Sequence, residues 1–182
     1  MRKLAEGGLF LGKLGLVLLV LGLVALPAMA QNVPKLEVFG GYQYNREGFS
    51  NGVNLNGWNA AVTANLSRHF GVTGDFSGVY ATVPIPLDDG GTFRVSEYTY
   101  MFGPVISGGR DKTLVPFAHA LFGGFRESGI NGFAMAFGGG IDVKASRHLA
   151  IRVVQADWLL ERAGGDTSNK NIRISAGIVF RF

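Results

Sequence analysis

The chain has 182 residues and a formal net charge of +4, a length that predicts one domain or at most two. With the first thirty residues set aside, 14 Lys and Arg face 12 Asp and Glu, which argues against the concentrated basic stripe of a nucleic-acid binder. An apolar content of 47% with 12% aromatics excludes disorder, and the absence of cysteine excludes a disulfide scaffold and a thiolate metal site.

The N-terminus reads as a targeting segment. Arg2, Lys3 and Lys13 supply positive charge, Leu14 to Leu26 is an apolar run, Pro27 breaks it, and Ala28-Met29-Ala30 follows. A charged start, an apolar stretch and small residues at −3 and −1 predict a secretory signal peptide cleaved between Ala30 and Gln31. The alternative is an uncleaved anchor from Leu9 to Met29. Either way the rest of the chain is exported, and residues 31–182 are expected to form a single domain.

From there the dominant period is two, not 3.6. Lys35 to Tyr44 places Leu36, Val38, Tyr42 and Tyr44 opposite Glu37, Phe39 and Gln43. Asn56 to Leu66 places Trp58, Ala60, Val62, Ala64 and Leu66 opposite Gly57, Asn59, Ala61, Thr63 and Asn65. After Ser67-Arg68-His69, the run Phe70 to Tyr80 alternates again, with Asp75 on its polar face, so the pair reads as a hairpin. Phe93 to Gly103 sets Tyr98, Tyr100 and Phe102 against Glu97, Thr99 and Met101. Val115 to Phe125 bears His119 on one face. Phe133 to Lys144 has an apolar face opposed by one with Asp142 and Lys144. Leu149 to Leu160 fits worst: Ile151 and Val153 oppose Arg152, but Gln155 and Asp157 then fall on the apolar side, and a bulge near Val154 would restore the parity. Ile172 to Phe182 closes with Arg173, Ser175, Gly177, Val179 and Arg181 on its second face.

The prediction is therefore eight strands of about ten to twelve residues. Asn45 to Leu55, Ala81 to Thr92, Arg126 to Gly132 and Glu161 to Lys170 are expected as long loops. Ser67 to His69 and Ala145 to Arg147 are expected as short turns, with Ser107 to Thr113 between the two classes. Long loops at one end and short turns at the other, with an even strand number, predict an all-β fold: an eight-stranded antiparallel up-and-down transmembrane β-barrel.

The faces specify the solvent. The apolar faces are almost free of charge, whereas Lys144, Arg181 and the expected lumen polar network of Glu37, Asp75, Glu97, His119, Asp142, Arg152 and Arg173 lie opposite, with both signs available for pairing. In a membrane barrel the apolar faces point outward to lipid. Aromatics near strand ends predict two interfacial belts: Tyr44, Trp58, Tyr80, Phe93 and Phe133 toward the long loops, Phe70 and Phe102 toward the short turns. Eight strands leave room for side chains but little for an aqueous channel. Glycines such as Gly40, Gly41, Gly139 and Gly140 fit the crowding of a small, curved barrel. The soluble alternative, a lipocalin-like binding barrel, would turn the apolar faces inward.

At this level the chain resembles the small outer-membrane β-barrel family of OmpA/OmpX type. The resemblance runs over Leu66 to Tyr80, Tyr100 to Pro104 and Pro116 to Gly124. Its most specific part is the ending, where Ser175, Gly177, Phe180 and Phe182 match the family's terminal strand. The resemblance implies a bacterial outer-membrane location, lipid as surrounding partner, and an assembly signal read by the barrel-assembly machinery. It covers no periplasmic peptidoglycan-binding domain, so cell-wall tethering is not implied.

No catalytic, cofactor-binding or metal-ligating set is assigned. Ser67/His69 and Ser146/His148 read as turn residues, not catalytic pairs. His119 reads as a packed lumen residue; the His-x-Ser motif of outer-membrane lipid deacylases is absent, since Ala120 and Leu121 follow. Asp88-Asp89 lies among Pro and Gly as an exposed turn. The expected protein is a non-enzymatic, monomeric envelope barrel whose four loops are offered to an extracellular partner. A lipid-modifying enzyme and a very small pore are the competing expectations.

Overall fold

The computed structural model describes residues 33–48, 53–84 and 92–182. The predicted leader with Ala28, Ala30 and Gln31, and the Asp88-Asp89 pair, lie outside the described residues. Eight strands follow in order: β1 (Leu36–Glu47), β2 (Val53–Asn65), β3 (Phe70–Pro84), β4 (Thr92–Ser107), β5 (Leu114–Glu127), β6 (Ile130–Lys144), β7 (Leu149–Ala163) and β8 (Asp166–Arg181). Each pairs antiparallel with its sequence neighbour, and β8 pairs with β1, so the sheet closes without an edge. The closure reaches the final residue: Leu36 N donates to Phe182 O at 3.1 Å and Phe182 N to Leu36 O at 2.8 Å.

A circuit of hydrogen-bonded partners gives the stagger. From Asn45 it passes through Arg173, Asp157, Gly138, His119, Val105, Gly71 and Asn65, and returns to β1 at Lys35, ten residues lower. Such a stagger tilts the strands steeply and leaves an interior that side chains alone can fill.

The strands, at 12 to 16 residues, are longer than expected, and two of the four expected loops are absorbed into them. Arg126 to Gly132 is not a loop: β5 and β6 meet at Ser128-Gly129, with φ of 46° and 93°. Glu161 to Lys170 is likewise a hairpin, turning at Gly164-Gly165 with φ of 59° and 100°. Two successive positive φ values match strand twist in a two-residue hairpin, and glycine adopts them without a Cβ clash. Residues of the other two connections, 49–52 and 85–91, are outside the described part. At the opposite end the short turns form as expected. Ser67 Oγ accepts from His69 N at 3.3 Å and Phe70 N at 3.0 Å, and Ser146 Oγ accepts from His148 N at 3.3 Å, a local cap that accounts for a serine at the start of each turn.

The bulge in β7 is present. Ile141 pairs with Val154 but Asp142 with Arg152, and on the other side Arg152 and Gln155 face Gly177 and Ser175. Val153 and Val154 therefore both point outward, at 55% and 39% exposure, and Gln155 and Asp157 turn inward.

Glycine crowding holds for most of the positions singled out. A Cβ on Gly41, Gly139 or Gly140 would lie 2.2 Å from a carbonyl oxygen of the adjacent strand. Gly40 is the exception: it points into open space, with nothing within 4 Å.

Candidate functional site: the filled lumen and the outer wall

Alternation along each strand sends one side-chain set inward, and the inward set is polar. Arg173, fully buried, is its centre: Nη1 donates to Asp75 Oδ1 at 2.6 Å and Nε to Asp157 Oδ2 at 2.7 Å. Asp157 also meets His119 Nε2 at 2.7 Å and accepts from Gln155 Nε2 at 2.7 Å. The register explains this reach. Asp157 sits across from Gly138, and Gly138 across from His119. Without a side chain at Gly138, the carboxylate extends over β6 to β5; a Cβ there would lie 2.1 Å from Asp157 Oδ1.

Arg152 continues the chain. It donates to Gln155 Oε1 at 2.7 Å and to both Asp142 oxygens at 2.8 and 3.0 Å, the bidentate geometry that guanidinium groups favour. Its guanidinium carbon lies 4.4 Å from the Phe39 ring centroid and 4.2 Å from that of Phe117, so cation–π contacts hold it from two sides. Asn59 donates to Asp75 Oδ2 at 3.0 Å. Asn59, Asp75, Arg173, Asp157, His119, Gln155, Arg152 and Asp142 thus form one connected network.

A second group closes the short-turn end. Arg181 Nε donates to Glu37 Oε1 at 2.9 Å. Arg110, from the turn between β4 and β5, folds back under the barrel, 3.6 Å from Glu37 and only 2% exposed. Its Nη1 donates to Ser67 O and Arg68 O, each at 3.3 Å, and its own carbonyl accepts from Arg181. Burial there pushes the Arg110 guanidinium below its ordinary range, and Glu37 opposes that shift. Between this floor and the network lies a cavity of about 20 Å³, room for about one water molecule.

The long-loop end differs. Glu97 is buried but does not join the network; its charged neighbours are Glu161, Glu47 and Glu127. Asn171 Nδ2 donates to Glu161 Oε2 at 2.8 Å. Below this acidic group, apolar Met101, Leu121, Phe125, Ala134, Ala136 and Leu159 pack together inside the wall.

Outside, the pattern inverts. Trp58, Tyr80, Phe133, Phe70 and Phe102 are exposed, Tyr44 is half-buried, and the Phe93 side chain is outside the described set. Tyr80 OH donates to Tyr98 OH at 3.3 Å with ring centroids 6.1 Å apart, and Tyr44 OH donates to Asn54 Oδ1 at 2.9 Å. Phe70, Phe180 and Phe182 gather at the short-turn end. Phe102 does not; it lies nearer the middle of β4, across from Gly74 and Phe122. Tyr42, Phe76, Tyr98, Tyr100, Phe122, Phe137 and Trp158 are further outward aromatics. At the terminal strand Ser175 faces inward and is buried, Gly177 sits across from Gly41 with no room for a Cβ, and Phe180 and Phe182 are exposed.

Several buried polar residues lie beyond the predicted set. Asp157 and Gln155 are hidden by the parity change, although the bulge that reveals them was legible as a misfit. Arg110 sits in a turn, where no periodicity marks a side chain as buried. Asn59 and Arg181 were visible on inward faces, whereas Asn171 lay just before the expected start of the last strand.

No protein-family model and no curated protein sequence matches the chain. Solved structures do match by fold. Ail, the attachment invasion locus protein of Yersinia pestis, solved with the heparin analogue sucrose octasulfate, is 17% identical with a TM-score of 0.55, over 82% of this chain and 99% of its own. Neisserial surface protein A is 11% identical with a TM-score of 0.61, over 81% and 97%. The outer membrane protein OprG from Pseudomonas aeruginosa is 9% identical with a TM-score of 0.54, over 82% and 96%. The likeness is one of fold: this chain is an eight-stranded antiparallel barrel with the architecture of small outer-membrane β-barrels.

Proposed function

We propose that the protein is an integral barrel of a bacterial outer membrane with a structural, non-enzymatic role in the envelope. One observation carries this reading: the burial is inside out. The wall exposes Tyr42, Trp58, Val62, Phe76, Tyr100, Ile174 and Ile178, while Arg173, Asp75, Asp157 and Gln155 are sealed within. Hydrocarbon is the solvent for which that arrangement is favourable. A soluble binding barrel needs the reverse and has a cavity at its centre, where this one has a salt-bridge network.

The same filling disfavours both a lipid-modifying enzyme and a pore. His119 is engaged by Asp157 in a closed interior, and a catalytic group needs access to substrate. A pore needs a continuous path, and the Arg173 and Arg110 layers both lie across it. Export by the leader, cleavage before Gln31, recognition of Ser175, Gly177, Phe180 and Phe182 by the assembly machinery, and a monomeric state complete the proposal. Of the four segments offered to an outside partner, those at 128–129 and 164–165 are tight hairpins.

The test is electrophoresis of the purified membrane fraction, unboiled against boiled. Folded barrel migrating apart from the heated form, with mass spectrometry placing Gln31 first, is the expected result. Protein recovered soluble without detergent would overturn the proposal. Purified barrel in planar bilayers is expected to give no conductance steps.

A further inference from the structure

We propose that Arg46, Arg126 and Arg162 form an outward collar that binds the phosphate groups of anionic lipid headgroups around the long-loop end of the barrel. The inference rests on the membrane reading above and adds to it a lipid class and the residues that hold it.

The collar follows from the alternation. Outward positions on β1 are Leu36, Val38, Gly40, Tyr42 and Tyr44, and then Arg46. On β5 they are Leu114, Pro116, Ala118, Ala120, Phe122 and Gly124, and then Arg126. On β7, above the bulge, they are Ala156, Trp158 and Leu160, and then Arg162. In each case the first charge met outside the wall, moving toward the long-loop end, is an arginine. Register sets all three against the upper margin of the apolar band: Arg126 lies across from Tyr98, Arg162 from Phe133 and Arg46 from Ile172. Arg94 on β4 repeats the pattern two outward positions beyond Tyr98, across from Thr82. Interfacial aromatics sit at the headgroup level of a bilayer, so charges immediately beyond them meet lipid phosphate.

Nothing nearby accounts for these charges. Among the described residues, none of the three has a carboxylate partner within 4.0 Å, in contrast to Arg152, Arg173 and Arg181. Arg46 donates to Asn54 Oδ1 at 3.0 Å, a neutral acceptor that holds it without neutralising it. Arg126 and Arg162 are exposed. Of the nearby acids, Glu47, Glu97, Glu127 and Glu161 occupy inward positions, on the other side of the wall, and exposed Asp166 stands across from Ala163 at the hairpin beyond Arg162, more than 4.0 Å from its guanidinium. Among the described residues, the outward face of the eight strands carries no Asp or Glu. The three arginines stand on three separate strands around the perimeter and do not converge on one pocket, which fits many headgroups in a leaflet and not a single free phosphate.

Trp58 and Trp158 are outward, at 43% and 40% exposure, and report directly on the surrounding lipid. The barrel is refolded into vesicles of brominated phosphatidylcholine mixed with phosphatidylglycerol, and tryptophan quenching gives the preference between the two lipids. The wild type is expected to enrich phosphatidylglycerol beyond its share. R46Q/R126Q/R162Q is expected to lower the preference roughly fivefold at each arginine's position, R46K/R126K/R162K to retain it, and added salt to weaken it. The cold-detergent gel shift shows that each variant is folded. A wild type with no preference, or a preference that survives the glutamine variant, overturns the collar while leaving the membrane reading intact. Failure of the wild type to insert into pure phosphatidylcholine vesicles overturns both.

Discussion

The two halves of the lumen solve the problem of a polar interior in opposite ways. Toward the short turns, charges of both signs alternate and almost every one is paired: Asp75, Arg173, Asp157, Arg152 and Asp142 in one network, Glu37, Arg181 and Arg110 beneath it. Toward the long loops, Glu47, Glu97, Glu127 and Glu161 gather above a small apolar cluster; among the described residues none of the four has a basic side chain within 4.0 Å, and Asn171 donates to Glu161. The difference teaches where the fold is held. Removing one member of a buried pair strands the other, whereas removing one member of a like-charged group relieves its neighbours.

Breaking the paired half should have the largest effect. Arg173→Met leaves Asp75 and Asp157 buried without their cation and is expected to cost about 3–5 kcal/mol, read from urea unfolding in vesicles and from loss of the cold-detergent gel shift. Gly138→Ala should cost about 1–3 kcal/mol, because its Cβ would meet both Asp157 Oδ1 and the Ala156 carbonyl oxygen of the adjacent strand. Gly138→Ala combined with Asp157→Ala should show non-additivity in a double-mutant cycle, because removing the carboxylate frees the space at Oδ1. Arg152→Lys keeps the charge but gives up bidentate pairing with Asp142 and stacking between Phe39 and Phe117, for about 1–2 kcal/mol on the same unfolding measurement. The smallest effect belongs to the acidic half. Glu97→Gln should leave stability unchanged or raise it by less than about 1 kcal/mol; a loss as large as that of Arg173→Met would erase the contrast between the halves.

Much of this was legible in the sequence where the period is two. The strands of β2, β3 and β8 and the direction of their faces follow from alternation alone, because one face is apolar and the other polar. The lumen residues Asp75, Asp142, Arg152 and Arg173 follow with them. What was not legible has local causes. The segments 126–132 and 161–170 are polar and glycine-bearing, which suits a loop, but Ser128-Gly129 and Gly164-Gly165 are also hairpin dipeptides, and that signal was the one to weigh. Partnerships across the lumen, such as Asp157 with His119, depend on stagger and on an absent side chain at Gly138, neither of which a single strand reveals. Arg110 is buried by the path of a turn, which has no period to read.

The bulge at Val153-Val154 makes β7 two half-strands that are out of phase, with odd and even positions exchanging roles partway up. Loss of either valine would therefore leave Asp157 inward and Trp158 outward, because Arg152, one valine, Gln155, Ala156 and Asp157 alternate without interruption once the extra residue is gone. The same loss in the middle of β8, where no residue is spare between Ile172 and Phe180, would exchange the two faces beyond it. The valine pair is thus the place in the wall where the chain can shorten by one and keep its inside and outside.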